Sequence, residues 1–162
     1  MTELRVIRAN LEQAEHKTAV IDLMNAYASD PMGDGRPLSD EVKGRLIEGL
    51  RQHPTTLIIL AFQDDQPVGI ATCFFGYSTF AASPLLNISD YFVIPELRGT
   101  GIGKKLLLAV ETAAREKGCC KLTLEVQENN RRARAIYQAF GFGQATYVEA
   151  AGGSLAMSKR LS

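Results

Sequence analysis

The sequence predicts a mixed α/β fold: one sheet with helices on its faces, in the order βααβββαβαββ. Three observations predict it. Aliphatic and β-branched runs bounded by turn residues recur along the chain, which is the pattern of strands. Four segments place apolar side chains at helical spacing. A strand–helix–strand succession near the end demands one locally parallel pair, while tight turns elsewhere demand antiparallel ones.

The elements follow in order. Leu4 to Arg8 alternates as a short strand. Asn10 then starts a helix with Gln13 as a capping-box partner; Leu11, Ala14, Ile21, Met24 and Tyr27 form its expected buried stripe, and it ends before Asp30-Pro31. Ser29 to Leu38 reads as a loop. Ser39 caps a second helix with Val42, Leu46 and Leu50 on one face, stopped by His53-Pro54. Thr55 to Gln63 and Pro67 to Tyr77 are strands joined by a turn at Asp64-Asp65-Gln66. Leu85 to Val93 is the next strand. A helix from about Gly101 to Lys117 buries Ile102, Leu106, Val110 and Ala113 and ends at Gly118. Lys121 to Val126 is a strand, and Arg131 to Phe140 is a helix that Gly141 terminates. Gln144 to Ala150 and Ser154 to Arg160 read as a final strand pair about Gly152-Gly153.

The chain has 162 residues, 46% of them apolar, with 18 basic and 18 acidic side chains. That length suits one domain, residues 1–162, with a core that needs no disulfide or metal staples. Zero net charge argues against a nucleic-acid partner. No apolar run is long enough to span a membrane, and the N-terminal residues lack the pattern of a signal peptide. The cysteines, Cys73, Cys119 and Cys120, are odd in number and lack ligand spacing, and His16 and His53 stand alone. No disulfide framework and no metal site are expected, and a cytoplasmic location is the default expectation.

The most informative segment is Val93 to Lys104, between a strand and a helix start. Gly99, Gly101 and Gly103 permit a tight turn with N–H groups facing inward, and the helix start adds unpaired donors and a positive dipole end. This is an anion site suited to phosphates. Two familiar phosphate loops fail. A dinucleotide fingerprint from Gly99 needs glycine where Lys104 stands; a P-loop ending at Gly103-Lys104 needs glycine at Arg98 and Ser or Thr at Lys105.

What fits is R-x-x-G-x-G, at Arg98, Gly101 and Gly103. A second run, Asn130 to Phe142, matches N-x-x-A-x-x-x-Y-x-x-x-G-F. Its Ala133, Ile136, Tyr137 and Phe140 share one helix face, which by itself reads as core. With the two motifs in register over about Leu86 to Phe142, the chain resembles the GNAT superfamily of acyl-CoA-dependent N-acetyltransferases. The resemblance implies the GNAT fold, a mostly antiparallel sheet with a splayed parallel pair. It implies acetyl transfer from acetyl-CoA to an amine, with no metal. Gly99, Thr100, Gly101, Ile102, Gly103 and Lys104, with Arg98, are implied to hold the cofactor's pyrophosphate. Phe92, Val93 and Asn130 are implied to meet its pantetheine arm. Lys105, Arg131, Arg132 and Arg134 read as solvated surface, the alternatives being added charge toward the phosphates for Lys105 and the cofactor's 3′-phosphate for the three arginines.

Tyr137 is implied to be the general acid. A phenol with a pKa near ~10 is neutral at pH 7 and can protonate a departing thiolate. The cysteines offer no nucleophile, so attack on the thioester is direct. The base is open. Many relatives carry a Glu-Asp pair where this chain has Ser89-Asp90, and serine is no base. Strand alternation would put Asn87, Ser89 and Tyr91 on one face and Asp90 on the other. Asp90 is the catalytic candidate, with Glu125, Glu128, Glu149 and ordered water as alternatives.

The segment Gly69 to Val93 looks most like the diamine and polyamine branch of the family. Tyr27, Asp30, Asp34, Tyr77 and Ser89 are the candidate acceptor residues, with Phe75 as a further aromatic. The expected acceptor is a small-molecule amine. A protein or peptide amine and a non-catalytic acyl-CoA sensor are the competing functions. A homodimer through the final strands is expected.

Overall fold

A computed structural model describes residues 2–144 and 147–161. They fall into two compact units, Met1–Gln127 and Glu128–Ser162. The first unit carries a five-stranded sheet of β1 (Leu4–Arg8), β2 (Thr56–Gln63), β3 (Gln66–Ser78), β4 (Ser83–Val93) and β5 (Leu122–Leu124), side by side in that order. The first four pair antiparallel, and β5 runs parallel to β4. Its helices are α1 (Ala14–Ser29), α2 (Asp40–Gln52) and α3 (Ile102–Glu116), with a 3-10 turn over Pro95–Leu97 before α3.

Most elements arise where local chemistry puts them. The Ser39 hydroxyl accepts the Val42 N–H at 3.2 Å and starts α2. Asp64 and Asp65 both take positive φ, 48° and 64°, as a two-residue hairpin turn requires. Gly118, at φ 72°, ends α3. There the Cys119 N–H bonds the Ala114 carbonyl at 2.9 Å and the Gly118 N–H bonds that of Arg115 at 3.0 Å, a Schellman stop. One side of the sheet packs Ile58, Leu60, Phe62, Ile70 and Phe92 against Ala19, Val20 and Leu23 of α1. Ile102, Leu106, Val110 and Ala113 of α3 are buried as expected. A Cβ on Gly69 would meet Leu106 at 3.0 Å, so β3 must be bare there for α3 to approach.

Four expectations need correction. Asn10 does not cap α1. Its side chain and carbonyl accept the Glu12 and Gln13 N–H groups, each at 3.0 Å, closing a turn that delays the helix to Ala14. The fully buried residues are His16, Ala19, Val20 and Leu23; of the expected stripe Leu11, Met24 and Tyr27 pack half-buried against the core, and Ala14 is exposed. His16 is a core residue whose Nδ1 accepts the Asn10 N–H at 2.8 Å. Second, β5 pairs over three residues only.

Third, β4 does not alternate simply. Thr72 faces Asp90 while Cys73 faces Ile88, so Ser89 is an extra residue in a β-bulge. Cross-strand partners share a face. Asp90 therefore shares a face with Asn87 (opposite Phe74) and Phe92 (opposite Ile70), whereas Tyr91 lies on the other face with Ala71. Asn87 and Tyr91 are thus not on one side.

The second unit holds α4 (Arg131–Phe140) and a hairpin of β6 (Tyr147–Val148) and β7 (Gly152–Gly153). Here is the fourth correction: Gly152 and Gly153 pair as strand rather than turn, and Ser154 to Arg160 is not a strand. Ala145 and Thr146, part of the first predicted terminal strand, lie outside the described residues.

Candidate functional site

The head of α3 leaves its backbone donors uncapped. Gly99 and Gly101 hold φ of 81° and 91°, a left-handed conformation that only glycine adopts without strain. Gly103 is needed for another reason: a Cβ there would lie 1.9 Å from the Tyr91 hydroxyl on β4. Two glycines thus shape the turn, and the third lets the helix start sit on the strand. The helix opens at Gly101 with no side-chain cap and no acidic residue in its first turn. The first intrahelical bond runs from the Lys105 N–H to the Gly101 carbonyl at 3.2 Å. The N–H groups of 102 to 104 precede that ladder and point out of the helix start, at the positive end of its dipole. Gly99, Thr100, Lys104 and Lys105 are exposed here, whereas the Ile102 side chain is buried in the core. The Thr100 hydroxyl donates to the Leu97 carbonyl at 2.6 Å and tightens the turn.

The strand leading into this loop has an open side. β4 and β5 pair at Leu86–Leu122, Asn87–Thr123 and Ile88–Leu124. From the bulge at Ser89 onward, no further parallel pairing occurs among the described residues. The backbone of β4 from Ser89 to Val93 is thereby left with an edge on its β5 side, suited to an extended, amide-bearing arm. Ser89 itself is exposed.

On the α1 side of β4 a compact polar and aromatic group assembles. The Thr72 hydroxyl donates to the Asp90 carboxylate. Burial raises the Asp90 pKa above the ordinary carboxylate value, and the Thr72 bond opposes that shift. The Tyr27 ring stacks on Phe92 at 5.6 Å. Burial raises the Tyr27 pKa, helped by the charges of Asp90 and then Asp30.

Arg98 donates from Nε to the Val93 carbonyl at 3.0 Å and from Nη2 to the Asp30 carboxylate at 2.9 Å. Its guanidinium carbon lies 5.5 Å from the Phe92 ring centre. Burial alone would raise the Asp30 pKa. The Met32 N–H and then Arg98 outweigh it and hold that carboxyl below its ordinary value.

The structure therefore gathers Tyr27, Asp30, Asp90, Phe92, Val93 and Arg98. It places Arg98 and Asp30 on each other, where the sequence suggested a phosphate ligand and an amine ligand. Asp34 is exposed with Arg36 at 3.6 Å. Tyr77 pairs with Pro84 at the opposite end of the hairpin, about 20 Å along β4 from Asp90 at ~3.3 Å per residue. Phe75 lies under Lys117, whose Nζ is 5.7 Å from its ring centre. Burial, then the Asp90 charge, pushes the Cys73 thiol up to about 12, so Cys73 is no nucleophile at neutral pH.

In the second unit, α4 is closed at both ends. The Asn130 side chain accepts the Ala133 N–H at 3.2 Å, capping the start. Gly141 stops it at φ 107°, with the Phe142 N–H on the Tyr137 carbonyl at 2.9 Å and the Gly141 N–H on that of Gln138 at 3.1 Å. The Phe142 and Tyr137 rings meet at 5.8 Å, the apolar contact that accompanies such stops. Asn130, Tyr137, Gly141 and Phe142 of the motif thus have structural duties of their own. Tyr137 is buried, as the one-face spacing predicts, while Arg131, Arg132 and Arg134 are exposed.

Sequence reasoning missed Thr72, the bulge at Ser89 and the Tyr91 hydroxyl under Gly103. Thr72, a polar residue inside the buried run of β3, was the one available signal.

Comparison with known proteins adds three findings. The model of the acetyltransferase (GNAT) family matches residues 20–142. The chain is 39% identical over 82 residues to the thialysine N-epsilon-acetyltransferase of Bos taurus, covering 51% of this chain and 48% of that one, so it spans about half the length of that relative. It is 28% identical over 145 residues to the uncharacterized N-acetyltransferase YhfO of Bacillus subtilis, covering 85% and 91%. Among solved structures, the aminoglycoside acetyltransferase AAC(6')-Iy, in complex with the bisubstrate analog CoA-S-monomethyl-acetylneamine, superposes with a TM-score of 0.76 at 20% identity. That match covers 98% of this chain and 99% of the other.

Proposed function

This chain belongs to the acetyltransferase (GNAT) family, and we propose that it transfers the acetyl group of acetyl-CoA to a primary amine of a small molecule. The observation that carries this reading is the uncapped, glycine-shaped start of α3 directly after the splayed end of β4. The first suits a pyrophosphate and the second an amide-bearing arm. Bound there, acetyl-CoA supplies an activated thioester. Gly99, Thr100, Gly101, Gly103 and Lys104 hold the phosphates through backbone N–H groups and one ammonium. Ile102 contributes its N–H, since its side chain is core. Phe92 and Val93 act through the β4 backbone, and Asn130 offers its side-chain NH₂, its oxygen being used as a cap.

The amine nitrogen forms a bond to the thioester carbon as the C–S bond breaks. Held in place, the two partners react with little further entropy loss. Asp90, half-buried beside Thr72 with its pKa raised, accepts the amine proton directly or through water. Tyr137 donates its phenolic proton to the leaving thiolate. Tyr27 and Ser89 line the acceptor side, with the charge of Asp90 behind Tyr27 favouring a cationic substrate. Asp34 is a surface contact for a longer one, and Tyr77, at the far end of the hairpin, is left out of the acceptor site.

The family match runs through both compact units, which supports treating residues 1–162 as one functional domain. Three free cysteines fit a reducing cytoplasm. The edge position of β5 and the exposed Leu155, Met157 and Leu161 support a homodimer, to be checked by light scattering.

Thiol release from acetyl-CoA against polyamines, thialysine-like amino acids, aminoglycosides and short peptides tests the function. Release is expected with a small amine, and Tyr137→Phe should lower kcat by about 10²–10⁴ without weakening CoA binding. Release with peptides alone would move the function to protein acetylation; binding without release would make the chain a sensor.

A further inference from the structure

We propose that the Asp30–Arg98 ion pair is a latch that couples the loop after α1 to the glycine loop before α3. The latch makes Asp30 and Arg98 positioning residues through which cofactor and amine strengthen each other's binding. The inference rests on the acetyltransferase reading, in which one loop serves the amine and the other the cofactor.

The two residues are 68 positions apart in sequence and meet through the Arg98 Nη2–Asp30 contact, while Nε of the same guanidinium bonds the Val93 carbonyl. On the α1 side, Asp30 organises its whole loop. Its carboxylate accepts the Met32 N–H at 2.9 Å, and its carbonyl accepts that of Gly33 at 2.9 Å. The Asp34 and Arg36 N–H groups return to the Ala28 carbonyl at 3.0 and 3.2 Å. Gly33 lies so close that a Cβ would sit 2.1 Å from the Tyr27 carbonyl. On the α3 side, Arg98 grips the last carbonyl of β4 and sits three residues before Gly101.

Burial separates this pair from the surface ion pairs. The side chains of Asp30 and Arg98 are 10% and 27% exposed, whereas Asp34 and Arg36 are 75% and 78% exposed. Water and salt screen the inner pair less, and removing either partner strands a charge. The pair also gives each charge a partner within the protein, ahead of any phosphate or amine. Its role is mechanical. A ligand that fixes the glycine loop fixes Arg98, and through it the Asp30 loop, so the second ligand has less ordering left to do. The effect is reciprocal by linkage.

The test is hydrogen exchange of amides 31–38 in the full chain, with and without CoA, alongside CoA affinity by calorimetry. In wild type, CoA should slow exchange in this loop. In Asp30→Asn and Arg98→Gln, that slowing should vanish, and the double variant should be no worse than either single one. Saturating CoA should lower the Kd for the amine about fivefold or more in wild type, and not in the variants, which a purely structural role would not produce.

Arg98→Lys, which keeps the charge but not the fork, covers the case in which Arg98→Gln does not fold. It should give reduced slowing, and full slowing overturns the latch. CoA binding to wild type without slowing in 31–38 overturns the latch alone. No CoA binding at all overturns both the latch and the acetyltransferase reading.

Discussion

The starts of α3 and α4 are opposite solutions to one problem. Both helices stop on a glycine in the same way, with the Gly118 and Gly141 N–H groups closing matching bonds. Their first turns differ. Asn130 satisfies an orphan N–H of α4 at 3.2 Å. Gly101 offers α3 nothing, and no acidic residue follows it. A side-chain cap is worth about 1 kcal/mol, so α3 forgoes stability that α4 takes. The difference teaches where to look for function. A satisfied helix end is a platform, here for the buried Tyr137. An end left open beside exposed Lys104 and Lys105 awaits a ligand's anion.

The largest effect should come from closing the open end. Gly101→Val forces a β-branched residue to φ 91°, where glycine alone is at ease. The loop must then change shape, and CoA affinity should fall by about 100-fold or more, the scale of ~3 kcal/mol of lost contact. Calorimetry on the folded variant decides it; unchanged affinity would remove the α3 head as the phosphate site.

A paired substitution sharpens the contrast at smaller scale. Lys104→Glu puts a carboxylate in the first turn of α3, which complements the dipole by about 0.3–1 kcal/mol. It should hold or raise the melting temperature while weakening CoA about tenfold, more at low salt. Asn130→Ala strips α4 of its cap and should lower stability by about 1 kcal/mol. At this chain length that is about 2–4 °C. If Lys104→Glu lost stability instead, the α3 start would already have a partner, and the comparison would fail.

The same contrast explains what the sequence discloses. The Ser39 cap of α2 and the glycine stops of α3 and α4 were legible because caps and glycine stops are local: each uses residues within a turn of the helix end. The start of α1 was not, because the side chain of Asn10 spends itself on a turn. The bulge was not, because counting outward from the β3–β4 turn puts Ser89 opposite Thr72, and nothing in either residue announces the extra step to Asp90. Arg98 and Asp30 were legible as charges but not as a pair, because 68 positions separate them. Sequence shows charges one at a time, and only the fold pairs them.

Asp90 takes that point to its smallest and most informative test. Like the α3 head, it is a polar group held where folding alone would not put it. Burial raises its pKa in the folded chain above the unfolded value. A group raised in this way favours folding below the unfolded carboxylate range, and that contribution is lost as pH rises through the folded value. Asp90→Asn keeps an oxygen for the Thr72 hydroxyl and carries no charge. The variant should therefore melt above wild type at pH 7 to 8, by a margin of order 2–4 °C for each ~1 kcal/mol relieved. The gap should close as pH falls and wild type also becomes neutral, which happens at a higher pH than for an ordinary carboxylate. Turnover should fall across the same pH range if Asp90 is the base. Melting curves from pH 4 to 8 separate the cases. A gap that ignores pH would mean that the Asp90 charge is not what burial penalises. A wild type that is the more stable at pH 8 would mean that this carboxylate is satisfied, belongs with Asn130 rather than with Gly101, and is structural.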